Sequence, residues 1–211
     1  MDGVRSFYYE FEQGTPEWFE IRSGCITGSG IKNLLTQKMG KGFYGYVNNI
    51  IEVINTGESD LQHFENVATR WGNEYEPHAA RAYKYKVLQE LSTPAFVKTH
   101  PLIGCSPDLI TQGDNVLGEI KCYYTPNKAS NLRGKIEKVY IPQCNFNAAV
   151  CGCSEFDYIT FDPRNEGQKL WIERHKVDTA LLSNMQYRIN VAIRMINEGT
   201  NSSYPKFKFA T

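Results

Sequence analysis

Apolar and aromatic residues recur at helical spacing through the first third of the chain. Phe43, Tyr46, Val47, Ile50, Ile51 and Ile54 form one stripe that ends at Gly57, which predicts an amphipathic helix closed by a glycine. Upstream, Thr15-Pro16-Glu17 combines an N-cap, a first-turn proline and an acid suited to the helix dipole. A short helix is therefore expected through Trp18, Phe19 and Ile21 to a stop at Gly24. Thr27-Gly-Ser-Gly is expected to open a second helix. The helical period returns from Glu65 to Gln89, with Glu76 on the same face as Ala80, Tyr83 and Val87, so a carboxylate is expected to point inward. Pro77, directly after it, predicts a kink or a division into two helices.

The period shortens from Ala95 onward. Ala95-Phe-Val, Leu102-Ile-Gly-Cys and Val116-Leu-Gly-Glu-Ile-Lys-Cys122 read as strands, joined in part by the turn-like Gln112-Gly-Asp-Asn115, and together they predict a hairpin or meander. A helix near 140–150 stopping at Gly152, strands at 158–161 and 170–173, and a final helix near 178–198 complete the pattern. The last helix carries Leu181, Met185, Ile189, Ala192 and Ile196 on one face. This order implies an α/β (α+β) fold, a small mixed central sheet flanked by helices. With no repeat and no linker-like stretch, a single domain over 1–211 is expected.

Composition adds exclusions. With 41% hydrophobic and 22% charged residues the chain has the material for a full core. Its apolar runs fall far short of the roughly 20 residues of a membrane helix. Met1-Asp-Gly-Val-Arg-Ser does not read as a signal peptide, so a cytoplasmic protein with no membrane association is expected. Lys plus Arg equals Asp plus Glu at 23 each, so binding to a polyanion would depend on local clustering of charge. The six cysteines show no C-x-x-C spacing and are expected to be free thiols. The four histidines show no zinc-ligand spacing, which leaves oxygen donors for any metal.

Such donors are present. Pro107-Asp108 is followed after ten intervening residues by Glu119-Ile120-Lys121. On a strand, Glu119 and Lys121 share a face. If the preceding strand brings Asp108 alongside, two carboxylates, an ammonium and the Ile120 carbonyl converge, a donor set suited to Mg²⁺ or Mn²⁺ and to phosphodiester cleavage. A turn aspartate beside a solvated strand pair would produce the same letters, and the basic cluster Lys121, Lys128, Arg133, Lys135 and Lys138 reads either as a solvated face or as a track for a DNA backbone.

Longer blocks narrow the choice. Trp18-Phe-Glu-Ile-Arg22-Ser-Gly-Cys-Ile-Thr27-Gly-Ser29, Trp71-Gly-Asn-Glu-Tyr-Glu76, Gly104-Cys-Ser-Pro-Asp108, Leu117-Gly-Glu119-Ile-Lys121-Cys and Tyr140-Ile-Pro-Gln143, with Phe161-Asp-Pro-Arg164 after them, resemble the ordered blocks of the lambda exonuclease (YqaJ-type viral recombinase) family. The resemblance spans about residues 14 to 175. It implies a restriction-endonuclease-like PD-(D/E)xK core and a metal-dependent exonuclease digesting one strand of duplex DNA from its 5′ end. By that resemblance Asp108, Glu119 and the Ile120 carbonyl would hold the main Mg²⁺ (Mn²⁺ in its place), with Glu76 joining a second ion. Lys121 would orient or deprotonate the attacking water, and Gln143 would hold the nucleophile or the phosphate. Trp18, Arg22, Thr27, Ser29 and Ser106 would bind the 5′ phosphate and DNA, a helix N-terminus assisting. A guanidinium merely stacked on Trp18 is the plainer reading of Arg22. The family further implies a toroidal homotrimer acting on double-stranded DNA ends in a phage's bacterial host, and a single-strand annealing partner.

Three departures from the family pattern stand out: Leu109 in place of the usual glycine, Tyr123 in place of the usual proline, and Pro142 in the Gln143 helix. Rival readings are a PD-(D/E)xK endonuclease, a Cas4-like nuclease (against which the missing four-cysteine cluster argues) and a non-catalytic DNA-end-binding module.

Overall fold

A computed structural model describes residues 4–58 and 66–209; the first three residues of the opening segment and the Glu65 start of the expected helical stretch lie outside them. In chain order the elements are β1 (Ser6–Tyr8), α1 (Pro16–Arg22), α2 (Ile31–Leu34), α3 (Lys41–Thr56), α4 (Val67–Val87), β2 (Leu91–Ser92), β3 (Phe96–His100), β4 (Ile103–Cys105), β5 (Leu109–Thr111), β6 (Leu117–Lys121), α5 (Pro126–Asn131), α6 (Ile141–Cys151), β7 (Glu155–Phe161), β8 (Leu170–Lys176) and α7 (Thr179–Thr200). The class is the mixed α+β arrangement expected. A three-stranded sheet has the order β1-β3-β4 and a five-stranded sheet the order β2-β5-β6-β7-β8.

All neighbours pair antiparallel except β6 and β7. That parallel pair requires a crossover, and α5 and α6 supply it. Alternation along the strands sorts the side chains. Leu117, Phe156 and Tyr158 join the larger core with α3, α6 and α7, whereas Ile120, Ile159 and Phe161 meet Ala79 and Tyr83 of α4 on the other face. Glu119 has the parity of Leu117, so it is directed into the core on the α6 side.

α4 is one continuous helix from Val67 to Val87 with Pro77 inside it. The expected break at Pro77 does not occur, because the helix is held from both ends. Asn66 caps it through Thr69 N–H, and the Tyr83 hydroxyl donates to the buried Asp157 Oδ2 at 2.6 Å. Arg174 of β8 donates to both oxygens of the same carboxylate, at 2.8 and 2.9 Å. Glu76 lies seven residues before Tyr83, on the same helix face, so the clamp on Tyr83 also sets Glu76.

Three strands escaped the sequence pattern: β1, β2 and β5 have three, two and three residues, too few to show a period. The helix expected after Thr27-Gly-Ser-Gly is a single turn of four residues. All six cysteines are free thiols, as expected.

Candidate active site

β6 directs Glu119 and Lys121 to one side, two residues apart, and Lys121 Nζ donates to Glu119 Oε1 at 2.6 Å. Glu119 is fully buried. Gln143, in the first turn of α6, donates Nε2 to the same oxygen at 2.6 Å; Asn147, one turn later, donates Nδ2 to Glu119 Oε2 at 3.3 Å. The i, i+4 spacing puts both amides on one face. Pro142 sits in the first turn, where its missing N–H costs no helical bond, so this departure leaves Gln143 in place. Asn147 was not anticipated, although its spacing from Gln143 was a usable signal.

Asp108 lies in the segment entering β5, and its Oδ2 accepts the Ile120 N–H at 2.6 Å, which docks the carboxylate on the β6 backbone. Its neighbour Leu109 is fully buried, and a Cβ on Gly118 would lie 2.3 Å from Leu109 Cδ1. Gly118 thus takes up the bulk introduced at 109. Burial, then the charges of Glu119 and Glu76, push the Asp108 carboxyl well above the usual carboxylate range. Glu76 is raised by burial and by Glu119, with Lys121 opposing. Burial alone would lower the Lys121 ammonium, but Glu119 and Asp108 outweigh it and raise it. Lys121 is therefore held protonated, a donor rather than a base. The Cys122 thiol is pushed up to about 12 by burial and by Glu76 and Asp108, which disqualifies it as a nucleophile.

Three carboxylates face one ammonium, and their donor chemistry is all oxygen. The upward pressure on Asp108 and Glu76 is what a divalent cation would relieve, so the residues fit such an ion. They do not form a closed cage as they stand: among the described residues no three His, Cys, Asp or Glu are grouped to hold a metal. Glu119 Oε1 is engaged by Lys121 and Gln143, and an ion would have to share or take that oxygen.

Glu76, Ile120 and Lys121 open into a groove of about 520 Å³ whose far wall includes Tyr124 and Lys128. Arg164 pins that wall: it donates to the carbonyls of Tyr124 and Tyr123 at 2.7 and 3.0 Å and lies 4.7 Å from the Trp71 ring centroid. Tyr123, where the family has proline, donates its hydroxyl to Glu137 at 2.8 Å and shares a 2.6 Å bond with Tyr158. The basic cluster is dispersed. Lys128 pairs with Glu137 at 3.0 Å, Arg133 stacks over Trp171, and Lys135 and Lys138 are exposed.

Arg22, at the end of α1, lies 4.0 Å from the Trp18 ring centroid and donates Nη1 to Ser106 Oγ at 2.8 Å. Trp18 Nε1 donates to the same hydroxyl at 2.9 Å. The stacked guanidinium and the Ser106 contact coexist, and Ser106 stands two residues before Asp108. Arg22 and Thr27 line a cleft of about 290 Å³. Thr27 is buried with its N–H on the Tyr46 hydroxyl, and Ser29 is exposed, its Oγ 3.3 Å from Thr27 Oγ1. The single turn of α2 sums few peptide dipoles, so the helix N-terminus expected to assist here contributes little.

Residues 17–154 match the YqaJ-like viral recombinase domain. The chain belongs to this family. All the blocks up to Gln143, and Asn147 with them, fall within the matched span of this YqaJ-like chain. No curated protein sequence matches it. Among solved structures, the alkaline exonuclease LHK-Exo from Laribacter hongkongensis superposes with a TM-score of 0.78 at 26% identity, over 89% of this chain and 95% of that one. The same enzyme in complex with dAMP gives 0.77 over the same shares, also at 26% identity. A phage-related exonuclease from Haemophilus somnus shares the fold, with a TM-score of 0.62 at 12% identity over 82% of this chain and 94% of that one.

Proposed function

We propose that this YqaJ-like protein is a divalent-metal-dependent nuclease that degrades one strand of linear duplex DNA in the 5′-to-3′ direction, releasing 5′-mononucleotides and leaving a 3′ overhang. The observation that supports this most is the buried Glu119 carboxylate, held by Lys121 and Gln143 beside Asp108 and Glu76 at the mouth of a groove. Membership of a recombinase family and the likeness to an alkaline exonuclease add to it.

Mg²⁺, or Mn²⁺ in its place, at one or two positions would be held by Asp108, Glu119, the Ile120 carbonyl and Glu76; it supplies charge neutralisation at the scissile phosphate and a water of lowered pKa. The chain's own groups do the rest. Lys121, kept as an ammonium, donates to a phosphate oxygen or to the attacking water and counters the charge of the transition state. Gln143 holds Glu119 and offers its amide to the phosphate. Arg22, oriented by Trp18 and Ser106, binds the terminal 5′ phosphate with Thr27 and Ser29. Grip on a terminal phosphate sets the polarity, because only a 5′ end carries that dianion over the reacting centre. In this reading the chain is a single exonuclease domain that acts as a toroidal homotrimer in the cytoplasm of a phage's host. Its 3′ overhang is passed to a single-strand annealing protein.

The test is digestion of 5′-phosphorylated linear duplex with and without Mg²⁺, beside a closed circular duplex. Mg²⁺-dependent release of mononucleotides from the linear DNA alone is expected. Cutting of the circle would turn the reading to an endonuclease; binding of ends with no release would turn it to a non-catalytic end-binding module.

A further inference from the structure

Asn147 is 1% exposed and contacts the one oxygen of Glu119 that Lys121 and Gln143 leave alone: its Nδ2 donates to Oε2 at 3.3 Å. Its own Oδ1 is buried with no hydrogen-bond partner. A buried amide oxygen left unpaired is costly, and an apolar side chain of the same shape would avoid the cost. The amide cannot turn over to find a partner, because a carboxylate only accepts; the NH₂ end must face Glu119 and the oxygen must face away.

Away from Glu119 lies Gly28. A Cβ there would sit 1.9 Å from Asn147 Oδ1 and 2.8 Å from its Cγ, so only glycine leaves room for the amide. Gly28 is flanked by Thr27 and Ser29. One side chain thus spans the distance between the Thr27–Ser29 segment and the Glu119 carboxylate.

We propose that Asn147, seated against Gly28, is a positioning residue that fixes the rotation of the Glu119 carboxylate. This rests on the nuclease reading above. With Oε2 held by Asn147, the direction of Oε1 is set while its partners exchange between Lys121, Gln143 and an incoming cation. The unpaired Oδ1 is the cost of that orientation, and the glycine is its steric condition.

The experiment compares the wild type with Asn147→Leu, which keeps the bulk and removes the donor, Asn147→Ser, which keeps a short donor, and Gly28→Ala, which crowds the amide. Three readouts are taken on the full chain: Mn²⁺ binding to DNA-free protein by calorimetry, kcat and KM for a 5′-phosphorylated duplex, and thermal melting. Asn147→Leu is expected to weaken Mn²⁺ binding about tenfold, the usual lower range for losing a group that orients a ligand. It should lower kcat to a similar extent while KM for DNA stays within about threefold, with Asn147→Ser intermediate. Gly28→Ala should act in the same direction, and the double variant Gly28→Ala/Asn147→Leu should be no worse than the poorer single, since both act on one contact. Wild-type Mn²⁺ affinity in folded Asn147→Ser and Gly28→Ala would overturn the inference, and these two carry the test if Asn147→Leu does not fold. A wild type that neither binds Mn²⁺ nor cuts DNA would overturn the nuclease reading itself, and the inference with it.

Discussion

Glu119 is a poor choice for packing, because a buried carboxylate must be paired and hydrogen-bonded merely to break even. Four polar side chains are committed to this cluster: Lys121 beside Glu119 on β6, Gln143 and Asn147 on α6, and Asp108, just before β5, on the adjoining Ile120 N–H. Such an outlay points to chemistry. Asp108→Asn and Glu119→Gln should each abolish Mg²⁺-dependent cleavage while the fold persists. Asp108→Asn should also raise the melting temperature in the absence of metal, since it removes one of three facing carboxylates. Cleavage surviving in either variant would dismiss the assignment. Lys121→Ala should slow cleavage at least about 100-fold, as expected for a positioned charged group, with a smaller effect on DNA binding. Arg22 lines a second cleft, to which the proposal assigns the 5′ phosphate. Wild-type protein should degrade 5′-phosphorylated duplex at least about tenfold faster than 5′-hydroxyl duplex, matching the roughly 1.5–3 kcal/mol of a charged hydrogen bond. Arg22→Ala should bring that ratio toward one. Equal rates on both ends in the wild type would leave Arg22 a structural residue stacked on Trp18.

Among the elements, α7 and the segment after it show how amide side chains can replace a strand partner. Asn197 and Asn190 each donate to and accept from the backbone of one tail residue, Tyr204 and Phe207, and Gln186 accepts from Phe209 N–H. Offsets of seven and four along the helix place these amides in one row, and Phe207 and Phe209 fill the core beneath. Phe207→Ala should cost about 3–5 kcal/mol in a denaturation experiment, the usual range for deleting a buried aromatic ring. His100 locks the same tail. Its Nδ1 accepts from Leu102 N–H at 3.1 Å, so Nε2 carries the proton and donates to the Pro205 carbonyl at 2.8 Å. Burial, reinforced by Lys98, lowers the His100 pKa below its ordinary 6.5, and a second proton would sit opposite the Leu102 N–H. With the folded pKa depressed, the unfolded chain binds more protons below about 6.5, so this contribution is present above that pH and lost as pH falls. The melting-temperature advantage of wild type over His100→Gln should therefore shrink between pH 7.5 and 5; parallel curves would refute the tautomer assignment.

For the whole molecule the balance of charge is the informative quantity. A net charge of zero, with Lys121 and Lys128 the cations that line the groove among the described residues and Arg164 behind its wall, offers little long-range hold on a phosphate backbone. If the protein cleaves repeatedly, as proposed, retention on DNA would be best served by enclosure, which is the physical argument for proposing a ring-shaped trimer. Light scattering should give three times the chain mass of 24.1 kDa at micromolar concentration, and a stable monomer would remove the ring. A ring also predicts that processivity survives added salt better than initial binding does, since only binding depends on counterion release.

Periodicity alone was enough to read α3, β6 and α7, because each is long enough to repeat its burial pattern. It was also enough to place Glu119 and Lys121 on one face, since that follows from the strand geometry of adjacent positions. The sequence leaves the pairing of Asp108 with β6 conditional, and Pro77 in it predicts a kink or a division where the structure has one continuous α4. Pro77 removes one local hydrogen bond, whereas the Tyr83, Asp157 and Arg174 clamp that anchors the continuous helix joins residues far apart in sequence. Asn147 and Gly28 belong to the same category. Each is an ordinary residue in its own element, and their meaning arises only where α6 packs against the segment after α1, because a buried donor is defined by what the folded chain places opposite it.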